Sequence, residues 1–291
     1  MTVAQLQPKI YRDFVRILQT NRLSHAYLFD GQFASLEMAL FLTQSQFCAE
    51  LVDRLPCGKC RSCRLIVRQE FPDLHVVEPT GQLIKTETIR ELLHDFSRSG
   101  FESDKQVFII RQAEKMHPNA ANSLLKIMEE PRGQSIIFLL TDEANLVLPT
   151  IKSRCQQVFF PKNDSYLREF LNREGLLPNQ AKVLAQVAQN QEEAMFLAKS
   201  QKVLQQLQHL ERFLGMLFRD QKMSFLEVAH LATIFKEKSE QELAFKLLSF
   251  LLAEQLPKEL ALFYLERLYV AQKMWKSHVS FQNVLEYMVI S

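Results

Sequence analysis

Glycine is scarce in this sequence: 7 of 291 residues, about a third of the usual share of roughly 7%. With only 10 Pro beside them, the chain has too few breakers for a loop-rich or fibrous protein, and a mostly helical one is expected. No segment reaches the roughly 18 uninterrupted apolar residues that a membrane span requires. The opening MTVAQLQPKI has no basic stretch followed by an apolar core, so a secretory leader is not expected either. The expectation is a soluble, cytoplasmic protein with no membrane partner. Charge of one sign is not in excess: 35 Lys+Arg stand against 33 Asp+Glu, and the net +2 selects no partner, nucleic acid included. Disorder is excluded by the 47% hydrophobic fraction and 22 Phe. At roughly 100 to 200 residues per domain, the length predicts two or three domains.

The breakers are unevenly spread. Eight Pro and five Gly occur by Pro161, while only Gly215 and Pro257 interrupt Asn179 to Ser291. The first part carries short apolar runs at Tyr27-Leu28-Phe29, His75-Val76-Val77, Val107 to Ile110, Ile136 to Leu140 and Val158-Phe159-Phe160, which read as buried strands. Helical patterns lie between them at Ser35 to Phe47, Thr86 to Phe96 and Ala120 to Glu130, the last stopped by Pro131. This alternation predicts a parallel sheet with helices on both faces and functional loops beyond the carboxyl ends of the strands. The remainder predicts helices only. Asp164 to Glu174, closed by Gly175, Asn179 to Val187 and Glu192 to Ala198 form a small module, and a longer helical segment follows from Val203. There, Phe245, Phe250, Phe263, Tyr264, Tyr269 and Trp275 are expected to pack a core.

Four of the five Cys lie within sixteen positions, as Cys48, Cys57, Cys60 and Cys63 in CAELVDRLPCGKCRSC. An odd, clustered set is a poor disulfide framework, whereas C-x8-C-x2-C-x2-C suits a zinc ion held by four thiolates. The two-residue gaps let a tight turn present successive sulfurs, and Gly58 supplies its backbone freedom. Lys59, Arg61 and Arg64 are placed to offset the charge of the thiolates. Four protein ligands leave no open position, so the metal is expected to be structural. The competing reading is a set of ordinary buried thiols on a helix face, which Pro56 and Gly58 disfavour.

After the first strand, where an α/β nucleotide-binding domain carries G-x-x-x-x-G-K-[ST], this chain has Gly31 followed by Leu36, Glu37 and Met38 at the Gly, Lys and hydroxyl positions. A phosphate cradle needs open backbone N–H groups, a cation and a hydroxyl on magnesium. Leu36, Glu37 and Met38 supply none of these. After the third apolar strand, Arg111 and Gln112 stand where a metal-binding Asp and its catalytic Glu are expected. No ATP is expected to bind productively.

The run Ser24 to Phe29, the four-cysteine insertion, AEKMHPNAANSLLKIMEEP from Ala113 to Pro131, Leu140-Thr141 and LPTIKSRCQ from Leu148 to Gln156 together resemble the delta-prime subunits of the bacterial DNA polymerase III clamp loader, within the AAA+ superfamily. The specific motifs cover roughly residues 1 to 200; the last third is similar only in being helical. The resemblance implies an α/β plus all-α chain: an AAA+ domain over 1–161 with its zinc module near 47–66, a helical lid over 162–203 and a helical collar over 204–291. It implies a non-hydrolysing stator among gamma/tau ATPase and delta subunits, loading a sliding clamp on primed DNA. Ser153-Arg154-Cys155 matches the family's SRC motif, so Arg154 is implied as an arginine finger toward a neighbour's ATP. On residue chemistry alone Arg154 is a surface salt-bridge residue and Cys155 a small packing residue. Glu192-Glu193-Ala194 places acid where the family's lid carries an Arg, Thr141 reads as a buried hydroxyl capping its strand, and His25 as a hydrogen-bonded structural His. Two other classes remain: an active ATPase with an unconventional loop, and a zinc-containing DNA-binding protein whose affinity falls steeply with salt.

Overall fold

The computed structural model describes residues 2–96, 103–129, 134–219 and 221–290. Its contacts sort into two compact units, Met1–Asn163 and Asp164–Ser291. The first unit runs α1 (Val3–Leu6), α2 (Pro8–Gln19), β1 (Ala26–Asp30), α3 (Ser35–Phe47), α4 (Arg61–Val67), β2 (Leu74–Val77), α5 (Thr86–Phe96), β3 (Lys105–Ile110), α6 (Pro118–Glu129), β4 (Gln134–Thr141), α7 (Pro149–Lys152) and β5 (Gln156–Phe159). Among the described residues the strands form one sheet, ordered β2-β3-β4-β1-β5, with every pairing parallel. Pro131, the expected stop after α6, lies outside the described residues.

Side chains alternate across the sheet with the period of two that a strand imposes. Ala26 and Leu28 of β1, Phe108 and Ile110 of β3, and Ile137 and Leu139 of β4 share one core with Ile89 and Leu92 of α5 and Leu124 and Met128 of α6. The intervening residues face the other way. There Phe14 of α2 meets Tyr27 and Phe29 at ring separations of 5.5 and 5.7 Å, and both rings meet Phe138. Both faces are thus covered, as a parallel sheet requires.

The fifth strand departs from the expected burial. β5 is an edge, pairing with β1 alone among the described strands, and Phe159 is 67% exposed while Phe160, just past its end, is 2% exposed. An edge strand has one side without a neighbour, so an apolar run there need not be buried. In register, Asp30 lies opposite Thr141 on one side and Phe159 on the other. The loop after β1 therefore opens at the carboxyl edge of the sheet, beside the ends of β4 and β5.

The second unit is helical: α8 (Asp164–Arg173), α9 (Pro178–Val187), α10 (Gln191–Lys199), α11 (Gln201–Arg219), α12 (Gln221–Ile234), α13 (Lys238–Gln255), α14 (Lys258–Lys276) and α15 (Phe281–Ile290). Gly175, at φ +94°, ends α8 in the left-handed conformation that glycine tolerates. Phe245, Trp275 and Phe281 pack together, and Trp275 Nε1 donates to Gln241 Oε1 at 2.7 Å. The expected all-core role of the aromatics does not hold for Phe263 and Tyr269, which are exposed on α14. Each lies under a cation of the same helix: Arg267 is 4.2 Å from the Phe263 ring and Lys273 is 4.4 Å from that of Tyr269. No helix of the described residues is long and apolar enough to cross a membrane.

Candidate metal centre and nucleotide-loop region

The four cysteines converge where α3 ends and α4 begins. Cys48 is the residue after α3, Cys60 caps the amino end of α4, Cys63 lies in its first turn, and Gly58 takes φ +69° between Cys57 and Cys60. All four Sγ atoms lie within 4.8 Å of one another, and Cys60 Sγ is 3.9 Å from Cys48 Sγ. With metal–sulfur bonds of about 2.3 Å, the edge of a four-sulfur tetrahedron is about 3.8 Å. The sulfurs therefore stand at the spacing of ligands around a shared ion, not along one helix face. These four residues could hold a metal ion.

Main-chain amides prepare the sulfurs. The N–H groups of Glu50 and Cys57 donate to Cys48 Sγ at 3.4 and 3.3 Å, that of Cys60 to Cys57 Sγ at 3.3 Å, and that of Cys63 to Cys60 Sγ at 3.5 Å. The Cys63 N–H, opposed by some desolvation, brings the Cys60 thiol down to about 6. Burial raises Cys48 and Cys63, which lie deeper. A divalent cation would reverse that penalty by stabilising their thiolates. The expected help from Lys59 takes another form: its ammonium lies 3.9 Å from Glu50, on the surface. Gln44 of α3 fixes the knuckle from below, donating to the Cys63 carbonyl at 2.8 Å.

At the other end of α3 the phosphate-loop position is filled by packing. Met38 is fully buried, Leu36 half-buried and Glu37 exposed. Ala34, at φ 63°, turns the chain into α3, and buried Phe33 precedes it. Gln7, itself 5% exposed, donates through Nε2 to the carbonyls of Phe33 at 2.9 Å and Pro161 at 2.6 Å, tying this loop to the chain leaving β5. Gly31 takes φ +113°, and a Cβ there would sit 2.3 Å from the Phe160 carbonyl oxygen. Its glycine is thus demanded by contact between two segments of main chain. Arg111, after β3, is ion-paired to Glu78, and Gln112 adopts φ 51° ahead of a short 3-10 turn at Ala113–Lys115.

Arg154 lies on the exposed turn between α7 and β5. Its guanidinium pairs with Glu129, the last residue of α6, with Nε to Oε1 at 2.8 Å, and it also donates to the Thr150 carbonyl at 3.0 Å. A cation over a helix carboxyl end is additionally favoured by the helix dipole. Ser153 Oγ donates to the Thr150 carbonyl, and Cys155 packs against the sheet core, its thiol pushed up to about 12 by burial. Thr141 is buried; its hydroxyl donates to Glu114 Oε2 at 2.6 Å and accepts from the Glu143 N–H. Asn190 caps α10, its Oδ1 accepting from the Glu193 N–H, while the Glu193 carboxylate accepts from the Gln189 N–H just before the cap. His25 is exposed, and its anchor is main chain: its carbonyl accepts from the Ile137 N–H at 2.8 Å.

Three partners escaped the reading of the sequence: Gln7, Glu129 and Glu114. Gln7 lies in no motif and reaches across 154 positions to Pro161; nothing local signals it. Glu129 and Glu114 lie within the Ala113 to Pro131 stretch, where only their place next to Arg154 and Thr141 in space gives them a role.

A sequence profile of the family described as DNA polymerase III, delta subunit, matches residues 6–164. The DNA polymerase III subunit delta' of Bacillus subtilis is 37% identical over 257 residues, 84% of this chain and 75% of that protein. This chain belongs to the DNA polymerase III delta' family. The matched residues 6–164 are close to the extent of its N-terminal, sheet-containing unit. The DNA polymerase III subunit tau/gamma of Haemophilus influenzae is 32% identical over 142 residues, 48% of this chain but 20% of that longer protein. The crystal structure of a DNA polymerase III gamma subunit-related protein from Thermotoga maritima superposes with a TM-score of 0.52 at 17% identity, covering 96% of each chain. That likeness establishes a shared fold. Membership in the delta' family makes the chain an accessory part of a polymerase assembly.

Proposed function

We propose that this delta' chain is the non-hydrolysing member of a clamp loader and supplies Arg154 to ATP bound by a neighbouring gamma/tau subunit. The observation that carries the reading is a contrast within one sheet domain. The residues at its own phosphate-loop position are turned into the core or lack the needed chemistry, while Arg154 is exposed on the turn before the edge strand. Its tie to Glu129 is a surface ion pair, of the kind worth about 0–1 kcal/mol, so release costs little. A planar, permanently charged guanidinium suits the γ-phosphate oxygens as charge develops there.

In this reading Cys48, Cys57, Cys60 and Cys63 hold structural zinc, which pins the α3–α4 corner of the domain. Residues 162–203 act as a lid and 204–291 as a collar that meets gamma/tau and delta subunits. Exposed Leu262, Phe263 and Tyr269 of α14 are apolar surface of the kind such a contact covers. The sliding clamp and primer-template DNA are engaged through the complex, in the cytoplasm. The test is reconstitution with gamma/tau, delta and clamp, comparing the parent with Arg154→Ala by mass and by DNA-stimulated ATP turnover. The assembly should keep its mass, and the site served by Arg154 should lose a factor of about 10³ or more. Unchanged turnover would reject the assignment.

A further inference from the structure

A second group of metal-ligating side chains lies far along the chain from the cysteines, within the helical unit. His209 of α11 and Glu227 and His230 of α12 bring one ring nitrogen each and one carboxylate oxygen within 4.8 Å of one another. The two helices are consecutive in the chain and in contact, and the three residues meet between them. Glu227 and His230 are spaced i, i+3 on α12, so both project from one face. The two imidazole rings meet edge to face, with centroids 5.1 Å apart and planes inclined by 69°.

The independent observation is unmet polar demand. Glu227 is 8% exposed, yet its Oε1 has no hydrogen-bond partner, and the buried Nδ1 of His209 has none either. Arg212 Nε, 4.0 Å from this carboxylate, belongs to a side chain that is 63% exposed. An exposed cation at that distance compensates a buried carboxylate poorly. An ion seated among the three groups would meet the unmet demand of Glu227 and His209. Metal–nitrogen and metal–oxygen bonds of about 2.0–2.2 Å place two ligands of a tetrahedral ion about 3.3–3.6 Å apart, so side-chain rotations that close the cluster by about 1 Å bring these atoms to bonding distance. A set of two imidazoles and one carboxylate selects a borderline transition metal over calcium or magnesium, which favour oxygen.

We propose that His209, Glu227 and His230 form a second divalent transition-metal site, with zinc as its natural occupant class, that clamps α11 to α12. Three protein ligands leave a position for water, so this site differs in kind from the closed four-cysteine one. His230 is exposed, which gives an ion a route in.

The test uses the full untagged chain, equilibrated with zinc, desalted and assayed for bound metal by mass spectrometry. The parent should hold about two zinc ions per chain, and His209→Ala, Glu227→Gln and His230→Ala should each hold about one. Cobalt substitution separates the two centres: loss of His209 should remove bands while leaving the sulfur-to-metal charge-transfer absorption intact. Circular dichroism checks the fold of each variant, and His230→Ala, at an exposed position, serves if a buried substitution misfolds. A parent that binds about one zinc, or a folded variant set that keeps the parent's metal content, overturns the site.

Discussion

The two ends of α3 make an instructive pair. At its amino end Gly31 remains from a phosphate-loop pattern, but the residues after it serve packing: Met38 is buried and Gln7 clasps Phe33. At its carboxyl end Cys48 opens a cluster in which four sulfurs face one point and main-chain N–H groups are aimed at them. One end carries packing groups at the phosphate-loop position, and the other gathers four sulfurs within 4.8 Å of one another. The difference teaches that a ligand site is recognised by convergent donors left unsatisfied by protein, and that a retained glycine alone says little.

The comparison can be broken or sharpened at either end. The largest effect is expected at the sulfurs: Cys60→Ser should abolish metal at the knuckle and leave the segment around it open to proteolysis, since structural zinc in small peptides supplies about 10–16 kcal/mol of folding energy. Equal metal content at the knuckle in variant and parent would remove that half of the comparison. At the opposite end, Met38→Thr should cost about 2–4 kcal/mol in urea unfolding, because it deletes buried volume and buries a hydroxyl. A near-neutral result would mean that position 38 faces solvent or a ligand. Adding Leu36→Gly and Glu37→Lys to it should give no ATP turnover, because Arg111, paired with Glu78, still holds the side on which a metal-binding Asp is needed. The smallest effect is one of reactivity. In the metal-stripped chain the Cys60 thiol lies at about 6, below the ordinary value of 9.0, so between those pH values it is thiolate in the folded chain and thiol in the unfolded one. Alkylation at neutral pH should therefore label Cys60 first and Cys63, fully buried and with its thiol pushed up by that burial, last. The reverse order would show that the amides do not activate Cys60.

Much of this was legible in the residues because the signals are local. The apolar runs at 27–29, 75–77, 107–110 and 136–140 mark strands by their continuity, and the cysteine spacing marks a metal knuckle because a tight turn must bring those sulfurs together. The features that were not legible depend on neighbours distant in sequence. Phe159 is as apolar as Phe160, but one falls on the open side of an edge strand and the other under the sheet. Phe263 and Tyr269 lie on the exposed side of α14, which periodicity alone did not distinguish from its packed side. Gly31 looked like the remnant of a phosphate loop; only the approach of the Phe160 carbonyl supplies the reason it is glycine here. The Glu227-x-x-His230 spacing was present in the sequence but means little without His209 from the preceding helix beside it.

The central claim is that this chain's own nucleotide position is disabled, so that its part in ATP turnover is played at a neighbour. Isothermal titration of the isolated full chain with magnesium-ATP tests it most directly. The account requires no saturable heat at millimolar nucleotide; a saturable, magnesium-dependent isotherm that Met38→Thr strengthens would contradict it.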